Sequence, residues 1–181
     1  LLDIACSRYK DKTAIELNSE KISYGSLDAR ANHIANTLIS NQLPKGSIIP
    51  LLLDNRVDII CSIIGILRAG CAFVPLEADG PQERLQNIIA ELSPRCLITE
   101  PEFSALAQTL SSESKVVILT ADALEKVSNE RTVFVDPTVE NRLHQAGVPL
   151  QPEEMCYIYY TSGSTGIPKG IAGNLKGLTH F

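Results

Sequence analysis

The chain has 181 residues, enough for one sizeable domain that removes roughly 70% of its unfolded surface from water. Hydrophobic residues make up 44% and charged residues 20%, with no low-complexity tract or charge block, which argues against disorder. A net charge of −5 and a pI near 5.2, without clustered Lys and Arg, argue against a nucleic-acid partner.

Thr13 to Leu17 and Lys21 to Tyr24 flank the turn-like Asn18-Ser19-Glu20 and predict a hairpin of short β-rich runs. Ser26 to Ser40 places Leu27, Ala31, Ile34, Ala35 and Leu38 on one face at helical spacing, with His33 on the polar, surface-facing side. Pro44-Lys45-Gly46 breaks this pattern. The apolar run Ser47 to Leu53 then predicts a strand covered on both faces of a parallel sheet. Val57 to Ala69 reads as a helix with Gly70 placed for a left-handed C-terminal cap, and Ala72 to Pro75 as a short buried strand. The whole stretch Val57 to Leu76 contains Asp58 and Arg68, and its uninterrupted apolar core is too short to cross a bilayer.

Pro81 suits a first helical position, where a missing N–H costs nothing; Leu85, Ile88, Ile89 and Leu92 continue an apolar face until Ser93-Pro94. Arg95 to Thr99 returns as a strand, followed by a helix from about Glu102 to Ser111 and a strand over Lys115 to Leu119. This alternation implies an α/β fold with a helix-covered, mainly parallel sheet. Thr132 to Val135 has strand composition, Asp136 to Pro152 reads as a polar surface connection containing His144, and Met155 to Tyr160 is another β-rich run.

Five cysteines, Cys6, Cys61, Cys71, Cys96 and Cys156, lie far apart without a C-x-x-C pair. Buried reduced thiols are expected, not a zinc site or a disulfide framework. Asp54, Asp58, Glu77, Asp79 and Glu83 lack ligand spacing, so no metal site is predicted from them. With no basic run ahead of an apolar segment at the start, a cytoplasmic location is expected, and the opening on Leu1 is expected of an excerpt from a longer protein.

The densest chemistry lies in Thr161-Ser162-Gly163-Ser164-Thr165-Gly166-Ile167-Pro168-Lys169-Gly170, which follows the last of these strands. Glycines let backbone N–H groups approach an anion closely, hydroxyls donate to its oxygens, and Lys169 supplies charge. At about 4 Å from a phosphate oxygen a near-surface lysine is worth on the order of 4 kcal/mol before desolvation, more than any single hydroxyl. A Walker A loop does not fit, because Pro168 stands where its glycine is needed and Gly170 where its Ser or Thr is needed. A flexible Gly/Ser linker would need neither Pro168-Lys169-Gly170 nor the rigid lead-in Tyr157-Ile158-Tyr159-Tyr160.

The run YTSGSTG-x-PKG resembles the phosphate-binding signature of adenylate-forming enzymes. Ile22-Ser23-Tyr24-Gly25-Ser26-Leu27 is similar to a Ser/Thr-Tyr-x-x-Leu motif of that superfamily, and Leu67-Arg68-Ala69-Gly70-Cys71-Ala72-Phe73-Val74-Pro75-Leu76 to its L-K-A-G-x-A-Y-V-P motif. Pro81-x-Glu83-Arg84-Leu85 further resembles the P-x-E-R-L of nonribosomal peptide synthetase adenylation domains, and tips the resemblance toward amino-acid activation. Ala78 and Gly80 depart from the usual proline and aromatic, Ile167 from a frequently basic residue, and Gly173 to Gly177 lacks the histidine that often follows the loop, so no role passes to His180.

The resemblance implies that residues 1–181 form the N-terminal portion of an AMP-binding adenylation domain that continues past Phe181 in the family. It implies attack of an amino-acid carboxylate on Mg-ATP, giving an aminoacyl adenylate, followed by transfer to phosphopantetheine on a peptidyl carrier domain, with ATP and Mg2+ as the small-molecule requirements. In this reading Lys169 is the catalytic cation, and Thr161, Ser162, Gly163, Ser164, Thr165, Gly166 and Gly170 join it around the phosphates. An acyl-CoA ligase and a non-catalytic nucleotide-binding remnant are the alternatives.

Overall fold

The computed structural model describes residues 2–18, 20–111, 117–120, 150–162 and 168–179, and only the backbone at 117, 118, 120, 162 and 179. Helix α1 (Leu2–Arg8) leads into the antiparallel hairpin β1 (Thr13–Leu17) and β2 (Glu20–Ser23). Helix α2 (Tyr24–Ser40) starts directly on that hairpin, because the Ser23 hydroxyl accepts the Ser26 N–H at 3.1 Å and caps it. All five residues of its apolar stripe are buried, but His33 is only partly exposed, and burial pushes its pKa down.

Strand β3 (Ile48–Leu52), helix α3 (Arg56–Arg68) and strand β4 (Ala72–Pro75) follow. The Asn55 side chain accepts from the Val57 and Asp58 N–H groups at the start of α3, and Gly70, with φ +70°, ends it as the sequence predicts. Helix α4 (Gln82–Leu92) begins one residue later than expected: Pro81 has an extended ψ of 127° and is its N-cap, so the ring stands just outside the first turn. Ser93, at φ +44°, stops it in the left-handed region.

Strand β5 (Cys96–Thr99), a single 3-10 turn at Pro101–Phe103, helix α5 (Ser104–Leu110) and strand β6 (Val117–Thr120) come next. The chain is described again before β7 (Met155–Ser162), β8 (Pro168–Asn174) and the short helix α6 (Leu175–Thr179). The possible strand at Thr132 to Val135 and most of the predicted connection lie outside the described residues.

Among the described residues the main sheet has the order β6-β5-β3-β4-β7-β8. Every neighbouring pair is parallel except β7 with β8, an antiparallel hairpin at one edge. Strand period 2 divides the core between the two faces. Ile49, Leu51, Phe73 and Ile98 pack with α2 and α3, whereas Leu52, Val74, Leu97 and Ile158 pack with α4 and α5. Each such fully buried apolar side chain contributes roughly 1.5–3 kcal/mol.

The α2–α3 layer is tight because Gly65 has no side chain: a Cβ there would lie 2.7 Å from the Ala31 carbonyl oxygen and from the Ile34 Cβ. Arg68, at the end of α3, ties three helices together through Asp3 at 2.6 Å, Asp28 at 2.7 Å and the Asn32 amide oxygen at 2.9 Å. All five cysteines are buried, as their isolated positions led us to expect. No helix among the described residues is long and apolar enough to cross a membrane.

Candidate functional site

Strand β7 runs parallel to β4, so its last residues emerge at the carboxyl edge of the parallel strands, the side on which open α/β sheets bind ligands. The chain leaves β3 through α3 on one face and leaves β4 through α4 on the other, which opens a crevice between the two strand ends. A cleft of about 230 Å³ lies there, walled by Leu53, Leu76, Arg84, Ile88, Tyr159 and Tyr160 among others.

The ten-residue run singled out in the sequence is not one continuous loop. Thr161 and Ser162 complete β7, and Pro168, Lys169 and Gly170 begin β8. The register sets Thr161 directly opposite Lys169, Ser162 opposite Pro168 and Tyr160 opposite Gly170. Directly opposed residues share a face with Cβ atoms roughly 4.5–5.5 Å apart, so the Thr161 hydroxyl and the Lys169 ammonium start from one side of the hairpin. Both residues are exposed. Gly163, Ser164, Thr165 and Gly166 lie outside the described residues, as does Ile167.

The glycines of β8 have a geometric reason that the sequence motif alone does not reveal. A Cβ at Gly170 would meet the Tyr160 ring at 3.2 Å, and one at Gly173 would collide with Cζ of Tyr157, its cross-strand partner. The tyrosine rings thus lie across the glycine positions. Tyr157 and Tyr159 also pack on Phe73 of β4, with ring centroids 6.0 and 6.3 Å away, so the lead-in is anchored by aromatic contacts.

Helix α4 holds the same lead-in from the opposite face. Arg84 Nη2 donates to the Tyr160 carbonyl at 3.4 Å and Nη1 lies 3.7 Å from Glu77 Oε2. Burial first, and then the charge of Glu91 and a hydrogen bond to it, push the Tyr160 hydroxyl up to about 12. Across the crevice, the largely buried Glu100 accepts the Asp54 N–H at 3.1 Å and the Asn55 N–H at 3.3 Å, fixing the turn that starts α3. Neither Glu91 nor Glu100 stood out in the sequence; Arg84 did, as part of P-x-E-R-L, but without a role.

An open α/β sheet with a crevice at the carboxyl ends of its parallel strands defines a class of proteins that bind ligands at that edge. A family model described as AMP-binding enzyme matches residues 2–181, and the chain belongs to that family. Tyrocidine synthase 1 of Brevibacillus parabrevis is 27% identical over 181 residues, which make up 100% of this chain and 15% of that protein. Among solved structures, NpsA-ThdA, an artificially fused adenylation-PCP di-domain NRPS from Klebsiella oxytoca, matches with a TM-score of 0.75 at 20% identity, over 98% of this chain and 32% of that one. The anthranilate CoA ligase AuaEII in complex with anthranoyl-AMP matches with a TM-score of 0.76 at 21% identity, over 97% of this chain and 33% of that one. The two structural likenesses show a shared fold, and the chain spans well under half the length of each of these proteins.

Proposed function

We propose that this chain is the N-terminal portion of an adenylation domain that activates an amino-acid carboxylate as its aminoacyl adenylate, for loading on a phosphopantetheinyl carrier domain. The observation that carries the reading is the signature YTSGSTG-x-PKG on a hairpin at the carboxyl edge of the parallel sheet, with Thr161 opposite Lys169. The substrate carboxylate oxygen forms a bond to the α-phosphorus of ATP. The bridging bond between the α- and β-phosphates breaks, and pyrophosphate leaves with its electron pair.

This chain's contribution is positioning and charge neutralisation, which dominate phosphoryl-type transfers. In the proposal Thr161, Ser162, Ser164 and Thr165, with the N–H groups of Gly163, Gly166 and Gly170, hold the β- and γ-phosphates while Lys169 balances their charge. Magnesium enters with its substrate as Mg-ATP. Among the described residues no group of three His, Cys, Asp or Glu stands together to hold a cation. The reading places the enzyme in the cytoplasm, where ATP is supplied.

Amino-acid-dependent ATP–pyrophosphate exchange by the parent enzyme tests this reading. Lys169→Ala is expected to raise the KM for ATP or lower the exchange rate by about tenfold or more, since losing even part of a cation–phosphate contact costs over 1.4 kcal/mol. Unchanged exchange would refute the role of Lys169. Exchange driven by aryl or fatty acids, with coenzyme A as acceptor, would transfer the reading to an acyl-CoA ligase, a class represented among the structural neighbours by AuaEII.

A further inference from the structure

We infer that Arg84 is a positioning residue for the nucleotide phosphates: it fixes the end of β7 that leads into the Gly- and Ser-rich sequence. The inference rests on the reading of that sequence as the ATP-phosphate site. Strand β4 ends at Pro75 and pairs with β7 at Phe73 and Tyr157, so β7 runs on past its parallel neighbour. The Tyr160 carbonyl stands in this stretch, which β8 pairs on its other edge only, one residue before Thr161, and receives Arg84 Nη2 at 3.4 Å. A helix side chain thus supplies the donor that a strand would supply farther back.

Three features of α4 converge on the same residue. Arg84, Ile88 and Glu91 have the spacing i, i+4, i+7, which places them on one stripe of the helix. Arg84 takes the backbone carbonyl of Tyr160, Ile88 lines the cleft together with Tyr160, and the charge of Glu91 acts on the Tyr160 hydroxyl. Tyr160 is therefore held at its carbonyl by the same element that packs along its side chain. Glu77 lies at 3.7 Å from the other guanidinium nitrogen and orients the fork, although its own side chain is 75% exposed. A guanidinium suits this task because its planar donors can serve a carbonyl and a carboxylate together.

A shift of Tyr160 moves Thr161 and, through the register, Lys169. Loss of the Arg84 contact should thus weaken ATP binding more than binding of the carboxylate substrate. In the parent enzyme Arg84→Met is expected to raise the KM for ATP about three- to tenfold, with the KM of the amino acid identified by exchange changed by less than about twofold. Arg84→Lys, which keeps a donor on a flexible stem, should recover much of that loss.

Hydrogen exchange gives a readout without activity: in Arg84→Met the amides at Tyr160 to Ser162 should exchange faster while those at Met155 to Tyr157 do not. An ATP KM within about twofold of wild type, or unchanged exchange at Tyr160 to Ser162, would overturn the inference. If Lys169→Ala raises the ATP KM and Arg84→Met does not, only the Arg84 inference falls; if neither does, the phosphate-site reading falls with it. Should Arg84→Met lose cooperative melting, Arg84→Gln takes its place with the same expected and overturning outcomes.

Discussion

Among the described residues, Cys71, Cys96 and Tyr160 hold their protons firmly enough to make stability depend on alkaline pH. Burial raises the Cys71 thiol to about 11; burial, then the neighbouring Cys71, raises Cys96 to about 12; and burial followed by Glu91 raises Tyr160 to about 12. Each folded-state value lies above its ordinary value of 9.0 or 10.0, so the folded chain holds these protons more tightly than the unfolded one. Their stabilisation is complete below about pH 9 and is lost as pH rises through the interval up to about 12. We expect the urea midpoint to stay level between about pH 7 and 8.5 and to fall by pH 10.5, with a smaller fall in Cys96→Val. The same fall in that variant would show that Cys96 contributes nothing to it.

At the scale of elements, the β7–β8 hairpin depends on glycine where a strand normally disfavours it. In Gly173→Ala the new methyl meets the Tyr157 ring, which is itself packed on Phe73 and Tyr159 and cannot turn away without loosening both contacts. A loss of about 1–3 kcal/mol is expected from such overpacking, read from urea unfolding of the intact protein. Adding Tyr157→Leu should return part of it; strictly additive losses would mean that the two positions do not touch. The sequence shows β7 plainly through its run of tyrosine and isoleucine. It hides β8, because in Pro-Lys-Gly-Ile-Ala-Gly-Asn only Ile171 favours a strand while proline, two glycines and asparagine disfavour one.

Over the whole molecule, Glu100 joins the carboxyl end of β5 to the turn after β3, forty-odd residues away in the chain. Both of its oxygens accept backbone N–H groups in a largely buried setting, so Glu100→Ala is expected to cost about 1–3 kcal/mol by stranding two donors, and Glu100→Gln less. Equal unfolding midpoints for wild type and Glu100→Ala would show that water replaces the carboxylate at no cost.

The sequence by itself determined what repeats at short range. Period 3.6 marked α2 and α4, apolar runs marked β3, β4 and β5, Gly70 marked the end of α3, and the choice of glycine, hydroxyl and lysine between Thr161 and Gly170 is what the proposed anion site rests on. These properties depend on a residue and its next few neighbours, so they can be read without coordinates. Tertiary structure alone decided the strand order, the antiparallel edge, the direct opposition of Thr161 and Lys169, and the reach of Arg84 to a carbonyl 76 residues away. Such contacts leave no period in the chain, because they arise only when packing of the two helix layers brings distant strand ends to one edge.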